Sequence, residues 1–175
     1  SRRDETPYRL APLRTTMTTI RVAWGTATGP TAMAAYDAAL ADANVHDFNL
    51  VTVSSVIPAG ADLAVTGTAP DLGPAGDRLT VVQSRADRAP GDGNPGVAGL
   101  GWARSADGPG IFYEATGTDT DAVREEVRAG LEHGVTLRDW AVADSDVLVR
   151  HVEPSADAHA TAVLLAAYGE SEPIL

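Results

Sequence analysis

Hydrophobic and polar residues alternate from Thr19 to Trp24. Ile20, Val22 and Trp24 fall on one side and Thr19, Arg21 and Ala23 on the other, which predicts a half-buried strand. Gly25 to Gly29 reads as a turn, and Pro30 is placed to open a helix. Thr31 to Ala43 is built almost wholly of helix formers, with Met33, Tyr36, Asp37 and Leu40 at i, i+3, i+4, i+7 on one predicted buried face. Phe48 to Ile57 reads as one strand rich in β-branched residues, interrupted by Ser54-Ser55 and closed by Pro58. Pro70 to Asp77 is turn-rich, Leu79 to Gln83 a short strand, and Arg88 to Gly96 a loop of glycine, proline and aspartate.

Val97 to Ala103 and Gly110 to Ala115 predict a strand pair joined by a turn at 106–109. Thr118 to Leu131 predicts a second helix. Thr118 and Asp121 form its expected capping box, and Val123, Val127 and Leu131 its buried stripe. Leu137 to His151 reads as a strand or strand pair that is weakest at Asp144 to Asp146, and Ala160 to Tyr168 as a closing strand. Two helices among six or more strands predict a layered α/β sandwich and not a Rossmann fold. Residues 1–17 read as a flexible leader, and 18–175 as a single domain.

Composition narrows the chemistry. The 175 residues contain no cysteine, which removes disulfides, thiol nucleophiles and cysteine-ligated metals and suits a reducing cytoplasm, the expected location. Arginine plus lysine is 13 against 24 acids, a formal net charge of -11. Such a chain has little general attraction for nucleic acid or anionic lipid, and no apolar run approaches membrane-spanning length. Every one of the basic residues is arginine. The lysine-free, Asp-rich and Ala-rich composition resembles that of salt-adapted proteins. It also excludes a lysine Schiff base, so any imine chemistry must put its carbonyl on the protein.

The four histidines have no metal-ligand spacing, and no phosphate-binding glycine motif occurs. Three features carry more. Asp37 lies within the apolar stripe of the first helix, where an unpaired carboxylate is costly; its ordinary explanation is an acid at the stripe edge. Ser54-Ser55 breaks a β-branched strand; paired hydroxyls are also common at strand ends. Glu114 follows Ile111-Phe112-Tyr113, where partial burial beside aromatics would raise its pKa and make it a proton donor. By itself it reads as an edge residue.

Together these residues carry a resemblance. Asn49-Leu50-Val51-Thr52-Val53-Ser54-Ser55-Val56-Ile57-Pro58 resembles the self-cleavage segment of the pyruvoyl-dependent arginine decarboxylases, and the likeness runs from about Ile20 to Tyr168. Tyr36-Asp37-Ala38-Ala39-Leu40 falls where that family places a substrate-binding acid, and Tyr113-Glu114 where it has a proton-donating glutamate. The loop at 88–96 is longer than the family pattern, and Ala115-Thr116 intervenes before Gly117.

The resemblance implies a four-layer αββα sandwich that cuts its own backbone between Ser54 and Ser55. Ser55 would become a covalent pyruvoyl group, and Asn49 would assist processing by donating near the cut bond. The pyruvoyl carbonyl would form a Schiff base with L-arginine, and loss of CO2 would give agmatine, with Glu114 returning the proton and Asp37 holding the guanidinium. The resemblance further implies a homotrimer or a dimer of trimers with sites between subunits. The alternatives are a pyruvoyl enzyme for another amino acid, or an unprocessed binding or structural homologue.

Overall fold

The computed structural model describes residues 19–106 and 108–175; the leader expected over 1–17 lies outside the described residues. The elements are β1 (Thr19–Gly29), α1 (Ala32–Asp42), β2 (Asn49–Thr52), β3 (Val56–Ile57), β4 (Asp62–Gly67), β5 (Arg78–Arg88), β6 (Gly96–Ser105), β7 (Gly110–Gly117), α2 (Thr120–Arg138), β8 (Val142–Val152) and β9 (His159–Tyr168). Five strands form one sheet in the order β2-β5-β9-β1-β4, and four form a second in the order β3-β7-β6-β8.

Three buried clusters define four layers, as expected for the αββα sandwich. Ile20, Val22, Val82, Leu100, Trp102, Phe112 and Leu164 fill the space between the sheets. Ala39, Leu40, Leu79, Val81, Val163 and Leu165 lie between the first sheet and α1. Val97, Ile111, Val123, Val127 and Leu131 lie between the second sheet and α2. Strand β9 feeds two of these cores. Ala162, Leu164 and Ala166 point to the other sheet while Val163, Leu165 and Ala167 point to α1, which is why Ala160 to Tyr168 is apolar without alternation.

Several elements differ from the sequence expectation. Gly25 to Gly29 is not a turn but the second half of β1, paired to β9 throughout. A Cβ at Gly25 would collide with Ala39 O of α1, and one at Gly29 with Ala35 N, so both glycines let the helix approach the strand. The same closeness corrects the face of α1. Only small residues fit against β1, so Ala35 and Ala39 are buried there; Leu40 of the predicted face is buried as well, whereas Met33 is 67% exposed. Phe48 to Ile57 is not one strand: it divides into β2 and β3, which belong to different sheets. Strand β4 was not expected, and β5 runs to Arg88. The charge at Arg85 is accommodated by stacking 3.7 Å above the Tyr36 ring and by pairing with Asp87 at 2.9 Å.

Helix α2 is capped by Asp119, whose side chain accepts from Ala122 N at 2.8 Å, and not by the Thr118 box. The helix continues past Leu137 and ends at Asp139 in the left-handed region, φ 53°. Its predicted stripe of Val123, Val127 and Leu131 is buried. A Cβ at Gly99 or Gly101 of β6 would strike these side chains at 2.6 Å, so the glycines set the depth at which α2 sits. Asp144 to Asp146 does not break β8. That strand is an edge strand, and its acids reach solvent while the backbone pairs with β6.

Candidate active site

The chain crosses from one sheet to the other at the serine pair. Val53 N–H donates to Val81 O at 3.0 Å, extending the pairing of β2 with β5 by one residue. Val56 and Ile57 then pair with Ile111 and Gly110 of β7. Ser54 and Ser55 are what remains between the two sheets. Because β3 has only two residues, it leaves the edge of β7 beyond Phe112 uncovered by strand pairing, and the site lies there.

Three successive carbonyls at this crossing have protein donors. Val56 N–H reaches back to Ser54 O at 3.0 Å, closing a three-residue turn around Ser55. Phe112 N–H donates to Ser55 O at 2.7 Å. The Tyr168 hydroxyl, at the end of β9, donates to Val56 O at 2.9 Å. The rings of Phe112 and Tyr168 meet edge to face at 6.1 Å, and Phe112 meets the buried Trp102 the same way at 6.5 Å.

Glu114 stands two residues beyond Phe112 on the same face of β7, opposite Leu100 of β6. One side of its carboxyl is open to solvent, but enough of its water shell is lost to push its pKa up. Its own backbone N–H and the Ser55 side chain pull in the other direction. Tyr168 is pushed up to about 12, first by burial and then by the negative charge of Glu114. Ser55, Glu114 and Tyr168 therefore form one constellation of a serine hydroxyl, an acid with a raised pKa and a hydroxyl donor. Tyr168 carried no sequence signal beyond ending a strand.

Asp37 and Asn49 lie elsewhere in the same chain. Both line a cavity of about 550 Å³ between α1 and β2, on the outer face of the first sheet, with Met33, Tyr36, Phe48 and Leu50. The Asn49 side chain donates to Gly76 O at 2.8 Å, not to the serine pair. Asp37 is exposed at the cavity wall. The first sheet stands between this cavity and Glu114.

Ser55 lies in a turn that presents its preceding peptide bond, its own carbonyl is held by Phe112 N–H, and the Glu114 carboxyl is near its side chain. A family model described as pyruvoyl-dependent arginine decarboxylase matches residues 19–173. The chain belongs to this family. A pyruvoyl-dependent arginine decarboxylase of Halobacterium salinarum is 51% identical over 160 residues, covering 90% of this chain and 98% of the relative. Relatives of the same description from Methanopyrus kandleri and Pyrococcus abyssi are 30% and 32% identical, covering 79% and 70% of this chain and 88% and 77% of their own lengths. The family name implies a covalently bound pyruvoyl group, and in this pyruvoyl-dependent decarboxylase chain Ser54-Ser55 fits its formation. No helix among the described residues is long and apolar enough to cross a membrane.

Proposed function

We propose that the chain is a self-processing carboxy-lyase that cuts itself between Ser54 and Ser55 and converts L-arginine to agmatine and CO2. The observation that carries this reading is the Ser54–Ser55 peptide, held in a tight turn between two sheets, with the Glu114 carboxyl facing Ser55. A pyruvoyl group at position 55 would supply a carbonyl for the substrate amine and an electron sink for loss of the carboxylate. The protein's residues do the rest. Phe112 N–H fixes the carbonyl of residue 55, and Glu114 keeps a proton above the usual glutamate range and delivers it to the substrate Cα.

Asp37 supplies two oxygens for the guanidinium fork. The first sheet separates it from Glu114 within one chain, so the acid reaching a given Ser55 is that of a neighbouring subunit, as a homotrimer or a dimer of trimers would provide. Asn49 shares the Asp37 cavity and would enter the neighbour's site with it. The similarity to arginine decarboxylases over 90% of the chain supports arginine over another amino acid and a catalytic over a purely structural role.

The test is the mass of the purified protein in high salt. Two fragments are expected, residues 1–54 and 55–175, the second resisting Edman sequencing because its first residue has no amine. Ser55→Ala should stay whole. A wild-type chain that stays whole, with no carbonyl trapped by borohydride and arginine, would overturn the reading.

A further inference from the structure

We propose that the backbone N–H of Val56 is the oxyanion donor of the self-cleavage step, and that Tyr168 is the positioning residue that aims it. The inference rests on the self-processing reading. In that step the Ser55 Oγ attacks the Ser54 carbonyl carbon. An Oγ–C bond forms, negative charge gathers on Ser54 O, the Oγ proton ends on the Ser55 nitrogen, and the C–N bond breaks to leave an ester. The charge therefore develops on the oxygen that Val56 N–H already contacts at 3.0 Å. A donor fixed before the reaction costs no reorganisation when the charge appears.

The donor is also polarised. Val56 N–H and Ser55 C=O belong to one peptide unit, and that C=O accepts from Phe112 N–H at 2.7 Å. The two bonds run in series, so each strengthens the other. The Asn49 side chain is committed to Gly76 O and does not supply this contact within the chain.

Tyr168 completes the arrangement from the other side of residue 56. Strand β3 is two residues long, and Val56 is 47% exposed, so pairing with β7 alone holds it weakly. The hydroxyl on Val56 O and the ring packed against Phe112 tie residue 56 to β9 and to the same residue whose N–H holds Ser55 O. The donor is in place only once β3 has docked on β7 and β9 has closed the other sheet, so cleavage waits for the completed fold.

The experiment follows conversion of freshly purified full-length chain to fragments by intact mass. Replacing Val56 by its α-hydroxy acid deletes the N–H and should slow cleavage roughly 10²- to 10³-fold, as loss of an oxyanion donor does. Tyr168→Phe keeps the ring and removes one hydrogen bond, and should slow cleavage about tenfold. 3-Fluorotyrosine at 168, a stronger donor, should restore at least the wild-type rate, which a purely structural role for the ring would not require. Wild-type cleavage rates in the hydroxy-acid chain would overturn the donor, and in Tyr168→Phe the positioning role. If the hydroxy-acid chain does not fold, Tyr168→Phe and its fluorinated counterpart decide. A wild type that never cleaves would instead sink the self-processing reading itself.

Discussion

Glu114 is the proposed proton donor for turnover, and partial burial raises its pKa above the ordinary glutamate range. Between the ordinary glutamate range and its raised value, the native chain holds a proton that the unfolded chain has lost. Stability from this group is therefore full at low pH and declines as pH rises through that window. The protonated form is also the one that donates, so kcat should fall as pH rises past the raised value. Glu114→Gln should lose the slope in stability. It should also lose turnover by about 10²- to 10⁴-fold while still cleaving, since cleavage uses the Ser55 hydroxyl. Single-turnover decarboxylation and a pH series of thermal midpoints check both; near-normal kcat would assign the proton to another donor. Glu114 was legible in the sequence because an acid after Ile111-Phe112-Tyr113 stands against the local apolar trend. Tyr168 and the Val56 amide were not, because a hydrogen bond between residues 112 positions apart has no local pattern.

At the scale of elements, the sequence shows strands and helices better than it shows their partners. The β7 pairing with β6 follows from the short turn that joins them, and the stripe of α2 from helical periodicity. The division of Phe48 to Ile57 does not. A run of Val51, Val53, Val56 and Ile57 satisfies strand propensity in either sheet, and only the two serines hint at the crossing. The buried face of α1 was hidden because alanine carries little periodic signal and glycines in β1 decide the packing. The crossing has a mechanical consequence. Residues 1–54 supply β1 and β2, and β1 is inserted between β9 and β4 of the other fragment, pairing with β9 from Ile20 to Gly29. Cutting at Ser54–Ser55 breaks none of these ladders. The two fragments should stay together through size exclusion in native buffer and separate only when a denaturant unfolds the first sheet. Elution of free residues 1–54 under native conditions would contradict this sheet order.

For the whole molecule, the charge of the chain and the separation of its two sites bear on one question. Each chain carries -11, so a trimer gathers -33, and the mutual repulsion falls as salt shortens the screening length from about 10 Å at 0.1 M to about 3 Å at 1 M. Assembly should therefore strengthen with salt. The proposed site needs that assembly, because Asp37 lines a cavity on the outer face of the first sheet, away from Glu114. Two defects placed in different chains can then complement each other. Ser55→Ala abolishes the pyruvoyl precursor but leaves Asp37; Asp37→Asn leaves Ser55 but removes the charge, and alone should lower kcat/KM for arginine tenfold to a hundredfold. In trimers assembled at random from equal amounts of both, about a quarter of sites would pair an intact Ser55 with an intact neighbouring Asp37. Activity toward arginine should reappear on mixing at high salt and fade on dilution into low salt. A mixture no more active than Asp37→Asn alone, in trimers shown by mass to be mixed, would mean that Asp37 does not act across a subunit boundary. Equal losses for arginine and for a neutral analogue of similar length in Asp37→Asn would leave this acid holding α1 or an interface instead of the guanidinium.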